Sequence, residues 1–331
     1  MDGQATAKLQ ELGEFGLIGR IRERFRAPQG VTGIGDDCAV IPQQDGRDTL
    51  VSTDMLVEGT HFLRADIPPY RLGWKSAAVN LSDIAAMGGT PTATFLSVAL
   101  PADLETDWIE EFLRGYGALS GRFGVALLGG DTTASPDRIC INVTVLGECP
   151  AGTAHLRSAA REGDLVCVTG CLGDSAAGLK AILEGVARDA DVQALIDRHY
   201  LPLPRVAEGL RLAATPGIHA MMDISDGIGS DLVHILEASG AGAKIDLSSL
   251  PLSPALQRVC TRHGWDAAAL ATGGGEDYEL LFTCTPEAER VLEVPHFVIG
   301  TIRVEPGRTE SRIAWRGADG LVSGFDHFRK A

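Results

Sequence analysis

"TLVSTDMLV" (residues 49–57) is followed at a short interval by "RLGWKSAAVNLSDIAAMGG" (residues 71–89). The first is a β-branched, apolar run of strand length. The second spaces Ala77, Ala78, Leu81, Ile84 and Ala85 as a helical stripe and stops at Gly88 and Gly89. The succession recurs, with "ATFLSVAL" (93–100) before "DLETDWIEEFLRGYGALSGRF" (103–123), and then two strands, "VALLGGD" (125–131) and "ICINVTVLGE" (139–148). Strands mixed with amphipathic helices predict an α/β (α+β) fold.

A chain of 331 residues exceeds what one core comfortably serves, at roughly one domain per 150 residues. After Glu148 the pattern lapses into "CPAGTAHLRSAAREGD", polar and broken by Pro and Gly, which suits a junction. The expected domains are therefore residues 1–148 and 149–331. The second half resumes with strand "LVCVTG", helix "DSAAGLKAILEGVA", loop "HYLPLPR", helix "VAEGLRLAAT", strand "IHAMMDIS", helix "GSDLVHILEASG" and strands "AKIDL" and "DYELLFTC".

The formal net charge of −15 argues against nucleic acid or an anionic membrane as main partner, because both demand clustered Lys and Arg. Seven scattered cysteines without a CxxC pair read as reduced thiols of a cytoplasmic protein. The charged first residues lack the apolar centre of a signal peptide, and no apolar stretch is long enough to span a bilayer.

Acidic residues recur where strands end. Asp37 precedes the apolar run of "TGIGDDCAVI" (32–41), Asp54 follows "LVST", Asp131 follows "VALLGG", and Asp223 and Asp226 bracket the end of "AMMDIS". Each alone is an ordinary turn or cap residue. As a set they differ, because α/β folds gather strand ends along one rim, where so many carboxylates repel unless cations sit among them. Asp83, three residues after Asn80 on a polar helix face, extends the set. Oxygen ligands of this kind suit Mg²⁺, the usual companion of nucleotide phosphates.

No Walker loop supplies a phosphate cradle: in "GDSAAGLK", Leu179 stands where the lysine is needed, and the segment reads as a helix start capped by Asp174 or Ser175. Ser225 and Asp226, at the start of the helix carrying Ile228, Leu232, Ile235 and Leu236, offer free N–H groups to a phosphate. "GGDTT" (129–133) is a second glycine-rich turn that lets backbone approach a ligand closely. Arg157 reads by itself as a solvated loop arginine.

Eight stretches together, "GIGDDCAVI", "STDMLVEGTHF", "AVNLSDIAAMGG", "GGDTT", "VTGCLGDSAAGL", "DISDGIGSDL", "GGGEDYELLFT" and "GFDHF", resemble the thiamine-monophosphate kinase family, in that family's order and over nearly the whole chain. The resemblance implies the two-domain fold shared with aminoimidazole ribonucleotide synthetase, its N-terminal sheet pairing across a homodimer and its C-terminal α/β domain completing the site. It implies ATP and Mg²⁺ as cofactors, thiamine monophosphate as substrate and thiamine diphosphate as product, the last step of that coenzyme's biosynthesis. By the same resemblance Asp37, Ser52, Thr53, Asp54, Asp83, Asp131, Asp223 and Asp226 match metal ligands. Gly130, Asp131, Arg157 and Ser225 match nucleotide contacts, and His61, Glu276 and Phe325 match groups that hold the thiamine phosphate. Ala159 departs from the family's usual glycine beside Arg157.

No Ser–His–Asp set or HRD sequence offers a general base, and the resemblance makes sense of that. A phosphate monoester, with a second pKa of about 6, is already largely dianionic at neutral pH. What two polyanions need is charge neutralisation and alignment, so direct in-line transfer is expected.

Overall fold

The computed structural model describes residues 9–303 and 312–317. In chain order the elements are α1 (Leu9–Arg24), β1 (Ala39–Pro42), β2 (Arg47–Val57), α2 (Pro69–Ala86), β3 (Thr90–Pro101), α3 (Thr106–Arg122), β4 (Ala126–Ser135) and β5 (Cys140–Pro150). There follow β6 (Leu165–Val168), α4 (Asp174–Leu183), α5 (Ala190–Tyr200), α6 (Val206–Ala213), β7 (Ile218–Asp223), α7 (Ile228–Ser239) and β8 (Gly242–Asp246). The last are α8 (Pro254–His263), α9 (Ala267–Gly273), β9 (Leu280–Cys284), α10 (Pro286–Glu289), β10 (Phe297–Arg303) and β11 (Ile313–Arg316).

The strands form two sheets. One has the order β1-β2-β5-β3-β4, antiparallel except for the parallel β3–β4 edge. The other runs β11-β8-β10-β6-β9-β7, antiparallel except for β11–β8. The mixed α/β architecture read from the alternating pattern is the one observed.

Helix α2 joins the two halves. Proline opens it, and Leu72, Ala77, Ala78, Leu81, Ile84, Ala85 and Ala86 are buried on it together with Lys75, Ser76, Asn80 and Ser82. A helix buried on nearly every side belongs inside a protein rather than on its surface. Its Ile84 and Leu81 pack with Leu50 and Val145 of the five-stranded sheet, while Ala85 and Ala86 pack with Met221 and Phe282 of the other half. Val79 shares a core with Val192, Leu195 and Ile196 of α5. Against α3, contact requires glycine: a Cβ on Gly73 would lie 1.9 Å from the Phe112 carbonyl oxygen, and one on Gly115 1.8 Å from that of Tyr70. Asn80, expected on a polar face, is fully buried.

Helices α5, α8 and α9 and strands β10 and β11 go beyond the pattern read from sequence. For α5 the signal was present, since Val192, Leu195 and Ile196 have helical spacing behind Asp189, whose side chain caps the Val192 N–H. Strand β9 begins only at Leu280, later than "DYELLFTC" suggests, because Tyr278, at φ 50°, is not in extended conformation. All seven cysteines are free thiols. Among the described residues no helix is long and apolar enough to cross a membrane.

Candidate active site

Strand alternation sends Ser52 and Asp54 of β2 to the side of the sheet that carries buried Leu50 and Leu56, toward α2. Asp37 stands just before β1, Asp83 on α2, and Asp223 at the last position of β7 in the other half of the chain. Carboxylate oxygens of Asp37, Asp83 and Asp223 all lie within 4.8 Å of one another. Two serines orient them: Ser52 Oγ donates to Asp83 Oδ2 at 2.5 Å, and Ser82 Oγ to Asp223 Oδ2 at 2.6 Å. The Asp54 N–H donates to Asn80 Oδ1 at 3.2 Å, tying β2 to α2.

Adjacent Asp36 and Asp37 coexist because Arg157 answers both. Its guanidinium pairs with Asp37 and its backbone N–H donates to Asp36 Oδ1 at 2.9 Å. Arg157 is therefore not a solvated loop residue. It belongs to a short 3₁₀ turn (Arg157–Ala159) whose carbonyl accepts from Ser239 Oγ of α7.

One arginine does not balance the cluster. Burial, then the charge of Asp37, pushes Asp54 up to about 6 and Asp223 up to about 8. Burial and the charges of Asp54, Asp223 and Asp37 push Asp83 well above the carboxylate range. Asp37 Oδ2 is buried without a hydrogen-bond partner. Several buried oxygen donors, repelling one another and with one lone pair set unanswered, fit a hard divalent cation such as Mg²⁺.

From this cluster a cavity of about 860 Å³ extends along α2, where Asp83, Val79 and Lys75, four residues apart in turn, all line it. Its walls include Leu56, Phe62, Ile67 and Tyr200, and it reaches His61, Ser225, Asp226 and Glu276. His61 Nδ1 accepts the Val57 N–H at 2.9 Å. Glu276 has φ 64°, and its N–H donates to the Ser225 carbonyl at 2.7 Å.

Other sequence-derived candidates are not gathered here by the single chain. Thr53 borders the cavity, but its hydroxyl turns to the opposite side of the sheet, near Thr144 and Asn142. Asp131 pairs with Ser97, Ser97 with Asn142 and Asn142 with Met55, so it stands three strands from β2, about 14 Å at ordinary strand spacing. Gly130 neighbours it on the exposed edge strand, so "GGDTT" is part of β4 and not the expected turn; a Cβ on Gly130 would lie 1.7 Å from the Leu96 carbonyl oxygen. Phe325 lies outside the described residues.

The sequence reading missed several groups. Lys75, fully buried, pairs with Glu276 at 2.7 Å, and His199 Nδ1 is 3.3 Å from the same carboxylate. The start of α4 is capped not by Asp174 or Ser175 but by Asp277, which accepts the Gly173 and Ser175 N–H groups at 2.7 and 3.2 Å. Glu279 is clamped by Arg198, Arg205 and Thr169. The only available signal was the acidic run after three glycines, "GGGEDYE", which is too long for one turn to employ.

Two sheets bridged by one shared helix, with carboxylates of both halves meeting at the seam, define an AIR synthase related protein. The family's N-terminal domain matches residues 35–149 and its C-terminal domain residues 161–302. The chain is 45% identical to thiamine-monophosphate kinase of Salmonella typhimurium, over 96% of this chain and 98% of that one. To the Bacillus subtilis enzyme of the same name it is 36% identical, over 96% and 99%. A solved structure of AaThiL complexed with AMPPCP and TMP superposes with a TM-score of 0.88 at 35% identity, covering 98% of this chain and all of that one. The chain belongs to the thiamine-monophosphate kinase family. The hydrogenase maturation protein HypE of E. coli, at 21% identity and a TM-score of 0.67 over 95% of this chain and 97% of that one, shares its fold.

Proposed function

We propose that the protein transfers the terminal phosphoryl group of ATP to the phosphate of thiamine monophosphate, giving thiamine diphosphate and ADP. The observation that carries this reading is the convergence of Asp37, Asp83 and Asp223 from distant parts of the chain, with Asp83 and Asp223 lining the same cavity as His61 and Glu276. The family relatives support the same substrate pair.

Asp37, Asp54, Asp83 and Asp223 are the residues that would hold Mg²⁺, with Asp226 beside them on the cavity wall. When bound, the ion neutralises phosphate charge that otherwise keeps nucleotide and acceptor apart. The chain's own groups do the rest. Ser52 and Ser82 fix the orientation of two carboxylates, and Arg157 fixes a third. The apolar wall of Leu56, Phe62 and Ile67 limits competing water. Glu276 offers a negative charge to the cationic thiamine ring, with His61 nearby. The acceptor oxygen is already anionic, so its attack breaks the bond to the leaving ADP without a protein base.

On this reading the nucleotide contacts are Gly130, Asp131, Arg157 and Ser225. A homodimer accounts for the first two: β4 is exposed over most of its length, and Phe95, Leu127, Leu128 and Met55 present apolar surface on that sheet. Pairing two such sheets would cover these side chains and enclose Gly130 and Asp131 at the interface. The free thiols, with Cys167 and Cys284 unbonded 3.9 Å apart, support a cytoplasmic location.

The test is thiamine diphosphate formation from thiamine monophosphate, ATP and Mg²⁺, followed chromatographically with a chelator control. Product that disappears with chelation is expected; no product at saturating substrates rules the reading out.

A further inference from the structure

Lys75 is fully buried on α2, flanked by Ser76, Ala77 and Ala78. Its Nζ lies 2.7 Å from Glu276 Oε1 as an ion pair and makes no well-directed hydrogen bond. A buried ammonium is costly unless a carboxylate answers it. The carboxylate in question is also held elsewhere, since His199 Nδ1 sits 3.3 Å from Oε2 and 3.0 Å from Ser175 Oγ. Its backbone is pinned too: the Glu276 N–H donates to the Ser225 carbonyl and the Tyr278 N–H to the Ile224 carbonyl, through residues at φ 64° and 50°. Non-glycine residues keep such backbone only where their surroundings over-determine it.

Position along α2 says which end of the substrate this pair serves. Lys75 precedes Asp83 by two helical turns and a little more, about 12 Å at 1.5 Å per residue. Side chains on a helix lean toward its N-terminus, so the ammonium points to the end of the cavity remote from the aspartate cluster.

We propose that Lys75 is a positioning residue for the substrate: with His199 it holds Glu276 as an oriented carboxylate, and through it fixes the cationic, heteroaromatic end of thiamine monophosphate. The proposal rests on the phosphotransfer reading above and adds a specificity determinant that does not touch the reacting phosphates.

The groups facing Glu276 are Lys75 from α2, His199 from α5, His61 from the loop before α2, and Tyr278 on its own loop. Burial pushes the Glu276 carboxyl up, but the neighbouring positive charge, Lys75 first, holds it below its usual value. His199 itself is driven down to about 3, by burial first and then by Lys75, and so is neutral at assay pH. Lys75 thus supplies fixed positive charge. With it, the carboxylate persists across the neutral range; without it, burial prevails, and the anion is lost at low pH and regained as pH rises.

Steady-state kinetics of Lys75→Met, Glu276→Gln and the double variant, at about pH 6 and about pH 9, test this. Lys75→Met should raise KM for thiamine monophosphate about tenfold at the lower pH and recover much of it at the higher, with KM for ATP unchanged. Glu276→Gln should raise KM alike at both pH values. The double variant should be no worse than Glu276→Gln, because Lys75 acts through that carboxylate. Wild-type KM in Lys75→Met, a rise independent of pH, or additive losses in the double variant would each overturn the proposal. Should Lys75→Met fail to fold, the double variant removes both buried charges and its comparison with Glu276→Gln decides. An unaltered enzyme that forms no thiamine diphosphate would overturn the underlying reading instead.

Discussion

Ser82 Oγ donates a 2.6 Å hydrogen bond to Asp223 Oδ2 across 141 residues of sequence, joining the shared helix of the N-terminal half to the end of a C-terminal strand. The next residue on that helix, Asp83, points into the same cluster. One turn of α2 therefore sets two carboxylates from different halves of the chain at ligand distance. Any change in how the halves pack would be felt first as a change in that spacing.

Asp54→Asn should separate function from stability. Burial and Asp37 raise this carboxyl to about 6, so its ionised form is strained in the metal-free protein. Neutralising it should cut turnover by roughly a hundredfold or more, as loss of a ligand to the transition-state charge does. Metal-free Tm should rise by a few degrees, at roughly 2–4 °C per kcal/mol relieved. Calorimetry beside the product assay checks both, and near-normal turnover would remove Asp54 from the metal set.

Metal-free stability should fall as pH rises. Asp54 and Asp223 have folded-state values of about 6 and about 8, against about 3.9 in an unfolded chain. Between those limits the native state holds more protons, so the stabilisation is complete below about pH 4 and is lost through about pH 8. Mg²⁺ should restore Tm most at the alkaline end, because it binds the deprotonated ligands. Thermal melts across this range with chelator or Mg²⁺ would show it; parallel curves would contradict it.

Arg205→Ala should damage the fold rather than the chemistry. Glu279 is fully buried, and Arg205 Nε donates to its Oε2 at 2.7 Å beside Arg198 and Thr169. Removing one partner of a buried carboxylate costs about 3 kcal/mol. Denaturant unfolding should register that loss, while KM for ATP at low temperature stays close to the parent value.

Leu128→Lys tests the subunit interface. Leu128 is 64% exposed on the edge strand β4, where an unpaired apolar side chain is a liability. Sedimentation should find a dimer for the parent protein and a monomer for the variant, with activity falling alongside. A parent protein that sediments as a monomer would defeat the dimer reading.

Much of this was legible in the chain. The period of "TLVSTDMLV" and the stripe of "WKSAAVNLSDIAAMGG" give β2 and α2 because pleat and helix pitch are local properties. Asp37 and Asp223 announce themselves because each sits beside a strand end, whereas Asp54 and Asp131, expected at strand ends too, lie inside β2 and β4, and Asp83 lies inside α2. Lys75 does not announce itself: within an Ala-rich helix a lysine reads as a solvated side chain, and only the docking of Glu276 opposite it makes burial tolerable. The cap of α4 is hidden from the sequence for a like reason, since Asp174 and Ser175 are local candidates whereas Asp277 arrives from 102 residues away to accept the Ser175 N–H. Asp131 shows the converse case, a carboxylate inside β4 that strand order carries away from the others.

The sequence by itself determined most of the succession of strands and helices and singled out the carboxylates, because side-chain periodicity and turn chemistry operate over a few residues. Tertiary structure decided which of those carboxylates meet, that Arg157 holds Asp37, and that Lys75 faces Glu276. Such pairings depend on sheet order and on the packing of α2 between two halves, and the Coulomb and burial energies that give them their chemistry exist only once that packing excludes water.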